Sequence, residues 1–316
     1  MKTRRFGVPE RAAGIVMIAL LAGAAVVATG FSPEPAAQDW DKVQVKAVPV
    51  AGGIHMIAGP GGNVGVLPGD GGVLLVDSLV PQFHGKVVAA LAPLAGGGRV
   101  RYILNTHWHY DHVLGNELFR NDGAVIVGHV NCVARMGREQ FHAVLNEKWG
   151  PYPVAGWPEV TFTDSLALRF NGEDIDVLHI PDAHSDGDAI SIFRKANVIH
   201  TGDVFFSAGY PYIDITNGGS IDGMIAASDR VLALAKPDTM FIPGHGPAAD
   251  RARLERYRAM LSTVRDRVAK LANEGKTLEQ TVASKPTADL DAEWTKATGM
   301  PPEGFVALVY KSLPAR

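Results

Sequence analysis

From Val43 onward, short apolar runs rich in valine and isoleucine alternate with glycine-bearing turns. Val43–Val50, Ile54–Ile57, Asn63–Leu67 and Val73–Val76 have the length and β-branched content of strands. Gly69-Asp70-Gly71-Gly72 between the last two is a hairpin turn, because glycine reaches positive φ without a Cβ penalty. Gln82–Leu94 then reads as a helix closed by Gly96-Gly97-Gly98, and Val100–Leu104 as a buried strand. Leu114–Arg120 and Arg138–Trp149 are predicted helices. Gly150–Pro158 is a rigid aromatic loop, suited equally to covering a substrate and to crossing the surface.

The second half repeats the first. Ala189–Phe193, a turn at Arg194–Asn197 and Val198–Thr201 form a hairpin followed by Asp203, as Asn63–Val76 is followed by Asp77. After each comes a helical pattern, the second over Ile221–Ala235, opened by Ser220 and stopped by Pro237. Each helix leads to an apolar strand that ends near a histidine: Val100–Leu104 before His107, and Thr239–Ile242 before His245. Two related halves with their strand ends at one shared edge are therefore expected, in an α/β sandwich of two sheets with helices outside. Arg251–Asn273 is an amphipathic helix, with Leu254, Tyr257, Leu261 and Val264 on one face, and is expected to pack on the domain. Residues 40–316 read as a single domain whose tail consists of short helices.

Composition narrows the function. The chain has 316 residues, 47% of them hydrophobic, and a net charge of −3. No basic cluster recurs beyond the N-terminus, so nucleic acid is not an expected partner. Cys132 is the only cysteine, which excludes an intrachain disulfide and a cysteine-based structural zinc site; it reads as a small buried hydrophobe. Residues 1–37 carry Lys2, Arg4, Arg5 and Arg11 ahead of a small apolar run, the pattern of an export signal or, if retained, an N-terminal membrane anchor. A periplasmic or secreted location is expected, with membrane contact only through that segment.

The chemistry concentrates in Asn105-Thr106-His107-Trp108-His109-Tyr110-Asp111-His112, directly after the predicted strand Val100–Leu104. His107 and His109, two apart on an extended segment, point the same way, while Asp111 and His112 follow where a helix can begin. One run can thus feed two adjacent metal ions. Imidazole and carboxylate donors without thiolate suit zinc, and also accept iron or manganese. Trp108 and Tyr110 alternate with the donors and are expected to face the core or the pocket wall.

This run resembles the His-x-His-x-Asp-His motif of the metallo-β-lactamase superfamily, and the resemblance extends over about residues 45 to 250. Ala183–Asp188 looks like the segment with that family's third histidine. His200-Thr201-Gly202-Asp203 looks like its bridging-aspartate segment, and Ile242-Pro243-Gly244-His245-Gly246 like its closing histidine. The resemblance implies a four-layer αββα sandwich. It also implies one metal held by His107, His109 and His184, a second by Asp111, His112 and His245, and Asp203 between them. Two zinc ions are expected to activate a shared hydroxide for attack on an acyl carbonyl, with Asp111 orienting the nucleophile or passing on its proton. The resemblance favours a ligand role for Asp203 and a structural one for Asp77.

Beyond the resemblance, Phe205 and Phe206 should line the cleft, and Tyr210 or Tyr212 is a candidate donor to the oxyanion. His200 is expected to support the Asp203 turn. His55, His84, His129, His142 and His179 read as ordinary histidines. An aspartate where one large group of β-lactamases has a cysteine points toward lactonase-, thioesterase- and phosphodiesterase-like members. With export arguing against glutathione thioesters and RNA, the expectation is a hydrolase of lactams, lactones or other activated acyl compounds. Persulfide dioxygenases share the His-x-His-x-Asp-His run but use a single iron, and form the alternative. The partner expected is a small-molecule substrate; the sequence sets no oligomeric state.

Overall fold

The structure is a computed structural model that describes residues 42–314 apart from 60, 95–96, 143–145 and 297–298. The export segment expected over residues 1–37 lies outside the described residues. The first sheet begins with β1 (Ala47–Ala51), β2 (Ile54–Ala58), β3 (Asn63–Gly69) and β4 (Gly72–Val76), followed by helix α1 (His84–Leu91) and β5 (Val100–Leu104). Helices α2 (Tyr110–Val113) and α3 (Asn116–Asn121) lead to β6 (Val125–His129) and α4 (Val130–Met136). A separate hairpin, β7 (Gln140–His142) and β8 (Glu147–Trp149), precedes β9 (Val160–Phe162). The spatial order is β1-β2-β3-β4-β5-β6-β9, antiparallel up to β4 and parallel from there on.

The second sheet comprises β10 (Ser165–Phe170), β11 (Glu173–Ile180), β12 (Asp188–Phe193), β13 (Val198–Phe206) and, after helix α5 (Ile221–Leu234), β14 (Met240–His245), in that order. Only β14 pairs in parallel, with β13. Helices α6 (Arg251–Asn273), α7 (Leu278–Ala283), α8 (Asp291–Trp294) and α9 (Pro302–Ser312) close the chain. The repeat read from the sequence is present in the topology: hairpins β3–β4 and β12–β13 each pass through one helix to a strand paired in parallel with the hairpin's second strand.

Strand sequence explains the layering. In β4, Val73 and Leu75 pack with Phe83, Val87, Leu91 and Phe119 on the helical side, whereas Leu74 and Val76 pack with Val177, Phe193 and Ile242 of the second sheet. A strand buried on both faces has no polar alternation, which is why this one reads as a continuous apolar run. The second sheet behaves alike: Ile190, Ile192, Ile199 and Phe241 face α5, α6 and α9, while Ala189, Phe193, Val198 and Ile242 face the first sheet. Leu254, Tyr257, Leu261 and Val264 of α6 bury against that outer face, as their spacing predicts. The four layers are helix, sheet, sheet, helix.

Two expectations are corrected. Arg138–Trp149 is not a helix but contains the β7–β8 hairpin, with Gln140 opposite Trp149 and His142 opposite Glu147. Positive φ at Asn146 (54°) and Gly150 (74°) breaks a helix. His142 and Trp149 have ring centroids 3.7 Å apart and lie against Trp108, so aromatic packing overrides helix propensity. Second, the strand expected to end at Thr201 runs on to Phe206, and Asp203 therefore sits inside β13, at an irregularity in its register with β14.

Phe193 is fully buried between the sheets. Phe193→Ala should cost about 3–5 kcal/mol of stability; equilibrium denaturation checks this, and a loss below about 1 kcal/mol would contradict the inter-sheet core.

Candidate metal centre

The centre assembles where β4, β5 and β14 end, beside the bulge inside β13. Asp77, immediately after β4, is held at φ 68°, a conformation costly for a non-glycine residue. Its carboxylate accepts from Thr106 N–H (2.8 Å), Thr106 Oγ1 (2.7 Å) and His112 Nδ1 (2.8 Å). One side chain thereby fixes both ends of the His107–His112 run. Opposite, Gly202 at φ 52° forms the bulge that aims Asp203 inward; a Cβ there would lie 2.5 Å from Thr106 Cβ. Gly244 lets β14 pass equally close, since its Cβ would stand 1.9 Å from Asp203 Oδ1.

Seven side chains meet in two groups: His107, His109, His184 and Asp203 in the first; Asp111, His112 and His245 in the second. Asp203 stands between them. Its Oδ1 is 3.1 Å from His112 Nε2, and its Oδ2 is 3.3, 3.5 and 3.8 Å from Nε2 of His245, His184 and His107. Asp111 Oδ2 lies 3.5 Å from His245 Nε2 and 3.6 Å from His112 Nε2. The two related halves of the chain thus share one site.

Outward hydrogen bonds decide which nitrogen each ring turns inward. His107 Nδ1–H donates to Thr106 Oγ1, His112 Nδ1–H to Asp77, and His184 Nδ1–H to the Tyr212 carbonyl (2.8 Å), leaving each Nε2 as a lone pair. His109 is reversed: its Nε2–H donates to Asp214 Oδ2 at 3.0 Å and Nδ1 faces the site. His184 Nε2 and His109 Nδ1 approach to 2.8 Å, two lone pairs that call for a cation beside them. His107 Nε2, His112 Nε2 and Asp203 Oδ1 are buried without a hydrogen-bond partner; the 3.1 Å pair among them lacks hydrogen-bond geometry. Buried donors left open, all nitrogen and oxygen, fit divalent metal ions.

Burial, then the neighbouring imidazoles, holds His107 and His109 well below their ordinary pKa. For His112 burial acts in the same direction, but Asp203, Asp111 and Asp77 outweigh it and raise the pKa. Burial opposes ionisation of Asp203, yet the surrounding histidines, His245 first, keep it well below the carboxylate range. An ionised Asp203 beside neutral His107 and His109 is the protonation state that metal binding requires, while His112 and His245, where burial is outweighed by the neighbouring carboxylates, would release a proton as a metal ion binds.

All seven expected ligands are brought together. The tyrosines divide. Tyr212 borders the first group, its ring 5.9 Å from His109 and from His184, and its hydroxyl pairs with His142 Nδ1 at 2.8 Å. Tyr210 is corrected as an oxyanion candidate: its hydroxyl donates to Asp291 and its ring stacks on Phe305, because the C-terminal helices capture it. Phe206 stacks on His245 at 4.7 Å, whereas Phe205 packs against Phe241 and Tyr257 in the core. Trp108 is fully buried, and Tyr110 lies 5.0 Å from Trp149. His200 accepts from Gly202 N–H at 3.2 Å, supporting the bulge before Asp203. Cys132 is buried. Sequence reading missed Asp214 and His142, which group with the outer side of His109. Asp214 belongs to no motif, and the helical reading of Arg138–Trp149 concealed His142.

Residues 58–245 match the metallo-β-lactamase superfamily. With this match spanning more than half of the sequence, the chain belongs to the metallo-β-lactamase superfamily, and it is a metal-dependent hydrolase. A hydroxyacylglutathione hydrolase of Methylococcus capsulatus is 27% identical over 226 residues, covering 70% of this chain and 77% of that protein. Another, from Acidiphilium cryptum, is 28% identical over 167 residues, 52% of this chain and 57% of its own length. Among solved structures, a metallo-β-lactamase from Pontibacter korlensis superposes with TM-score 0.57 at 15% identity, covering 69% of this chain and 99% of that one. An inverting sec-alkylsulfatase from Pseudomonas sp. gives 0.67 at 16%, covering 84% and 50%. At such identities the structures establish the fold alone.

Removing the Asp77 carboxylate frees Thr106 and the outer nitrogen of His112. Asp77→Ala should weaken metal binding by about 10- to 100-fold, measured by chelator competition; unchanged affinity would refute the role. Burial also pushes His142 down to about 3. A lowered folded pKa means that the unfolded chain takes up the proton first as pH falls, so this contribution to stability is lost progressively below about 6.5. In the metal-free protein, denaturation between pH 7 and 4 should show a shallower decline for His142→Gln; an identical slope would contradict it.

Proposed function

We propose that the chain is an exported dinuclear zinc hydrolase of activated acyl compounds, thioesters and lactones foremost, with lactams as further candidates. In this reading His107, His109 and His184 would hold one zinc ion and Asp111, His112 and His245 the other, with the Asp203 carboxylate lying between the two donor groups. The observation that carries it is Asp203, a buried carboxylate within 3.8 Å of four imidazoles from both groups. The thioester preference draws on the relatives named hydroxyacylglutathione hydrolase. Export, expected from residues 1–37, favours a thiol other than glutathione.

When bound, the metal pair supplies a water made nucleophilic near neutral pH and polarises the carbonyl it faces. The chain's own groups do the rest. Asp111, whose side chain is 11% exposed beside His245, is placed to orient that water and take its proton. Phe206 fixes the His245 ring and gives the cleft an apolar wall. Trp149, 5.0 Å from both His109 and Tyr110, adds an aromatic wall that excludes water and seats the apolar part of a substrate. Tyr212, its hydroxyl paired with His142 and its carbonyl with His184, acts through His184. A single-iron dioxygenase reading is disfavoured by His245, which with Asp111 and His112 completes a second donor group.

The test is metal analysis of the purified protein with hydrolysis of thioester, lactone and chromogenic β-lactam panels before and after chelation. About two zinc ions per chain and chelator-sensitive turnover, restored by zinc, are expected. One iron with oxygen uptake and no hydrolysis would overturn the proposal.

A further inference from the structure

Behind the first donor group runs a hydrogen-bonded chain that the hydrolytic reading leaves without a role. Asp214, which takes the outer N–H of His109 and has His142 Nδ1 3.6 Å from its Oδ1, receives two further hydrogen bonds from Asn217 Nδ2, at 3.0 Å to Oδ1 and 2.9 Å to Oδ2. Asn217 is buried, and with its amide nitrogen committed to Asp214, its Oδ1 accepts from Arg135 Nη1 at 2.7 Å. An amide suits this point, because it donates through Nδ2 on one side and accepts through Oδ1 on the other.

The same guanidinium reaches a second branch. Arg135 grips Asp186 through Nε (3.3 Å) and Nη2 (2.6 Å), a bidentate contact whose geometry lysine cannot reproduce. Asp186 follows His184 by two residues, and its N–H donates to the Asn217 carbonyl at 3.0 Å. Arg135 is itself braced by Gln140, which accepts from Nη1 at 3.3 Å and donates to the Arg135 carbonyl at 3.0 Å. One cation on α4 therefore holds the support of His109, from the first half, and the loop of His184, from the second. The nitrogens these two rings turn inward stand 2.8 Å apart. Among the described residues no comparable clamp reaches His112, whose outer partner is Asp77.

We propose that Arg135 is a positioning residue for the first metal ion, setting His109 through Asn217 and Asp214 and His184 through Asp186. The proposal rests on the two-metal reading of the donor groups. Its effect is selective: it tunes the affinity of the first site and leaves the second to Asp77.

The experiment is zinc titration against a chromogenic chelator, with each site isolated: His245→Ala to break the second group, His184→Ala to break the first. Added to the His245→Ala protein, Arg135→Ala and Asn217→Ala should each lower first-site affinity by about tenfold or more. Arg135→Lys should recover part of the loss, since a single ammonium can satisfy one branch but not both. In the His184→Ala protein the same changes should leave affinity unaltered. Equal losses at both sites, or losses that merely follow a drop in the thermal midpoint of the metal-free protein, would reduce Arg135 to a structural role and overturn the proposal. Fewer than two zinc ions bound by the unaltered protein would instead refute the two-metal reading itself.

Discussion

A single buried negative charge organises this molecule. Asp203 is 5% exposed and lies among imidazoles delivered by both sheets. A carboxylate removed from water is stable only if paired, so His107, His112, His184 and His245 must all arrive for it to be tolerated. The reverse holds as well: those rings, buried with open lone pairs, need the charge and the cations it attracts. Sheet packing, the glycine bulge and the close pass of β14 all serve to bring this one group of atoms together.

The sandwich accomplishes this by keeping its strands apolar on both faces. Leu74, Val76, Phe193 and Ile242 press the sheets together, while Val73, Leu75, Ile190 and Phe241 are covered by helices. With both faces buried, most of the donors collect at strand ends and in loops, and Asp203 is the exception, inside β13 at its bulge. Two topologically related halves then place equivalent ends at the same edge. The equivalence is instructive in its failure: Asp77 follows its hairpin strand, whereas Asp203 lies within the continuing strand β13, and Asp203 enters the donor group while Asp77 remains behind it, bonded to Thr106 and His112. The bulge at Gly202 is the local difference between them.

Around the donors lies a layer of partners that sets their tautomers. Thr106, Asp77, Asp214 and the Tyr212 carbonyl each take the outward N–H of one ring. His109 alone turns Nδ1 inward, because Asp214 claims its Nε2. The inward presentation of lone pairs is thus a property of the second layer as much as of the histidines, and it extends outward to a surface-facing arginine.

The amino-acid chain alone marked strands β1–β5 and β12–β14, the repeated hairpin-helix-strand unit and the cluster His107, His109, Asp111 and His112 within six positions, because these depend on short-range spacing and apolar runs, whereas His184, Asp203 and His245 were legible only through the resemblance to the metallo-β-lactamase superfamily. What lies behind the donors was settled only in three dimensions. His109 and Asp214, or Arg135 and Asn217, are joined by single contacts across more than eighty residues, and one contact leaves no period in the chain. Tyr210 and Tyr212 are two residues apart and equally eligible by composition, but helix packing takes one to Asp291 and leaves the other at His142. The Arg138–Trp149 segment likewise became a hairpin because His142 and Trp149 gain more from stacking against Trp108 than a helix would gain from local propensity. Local pattern marks the apolar strands and the His107–His112 cluster; only the closed fold decides which second atom each donor touches.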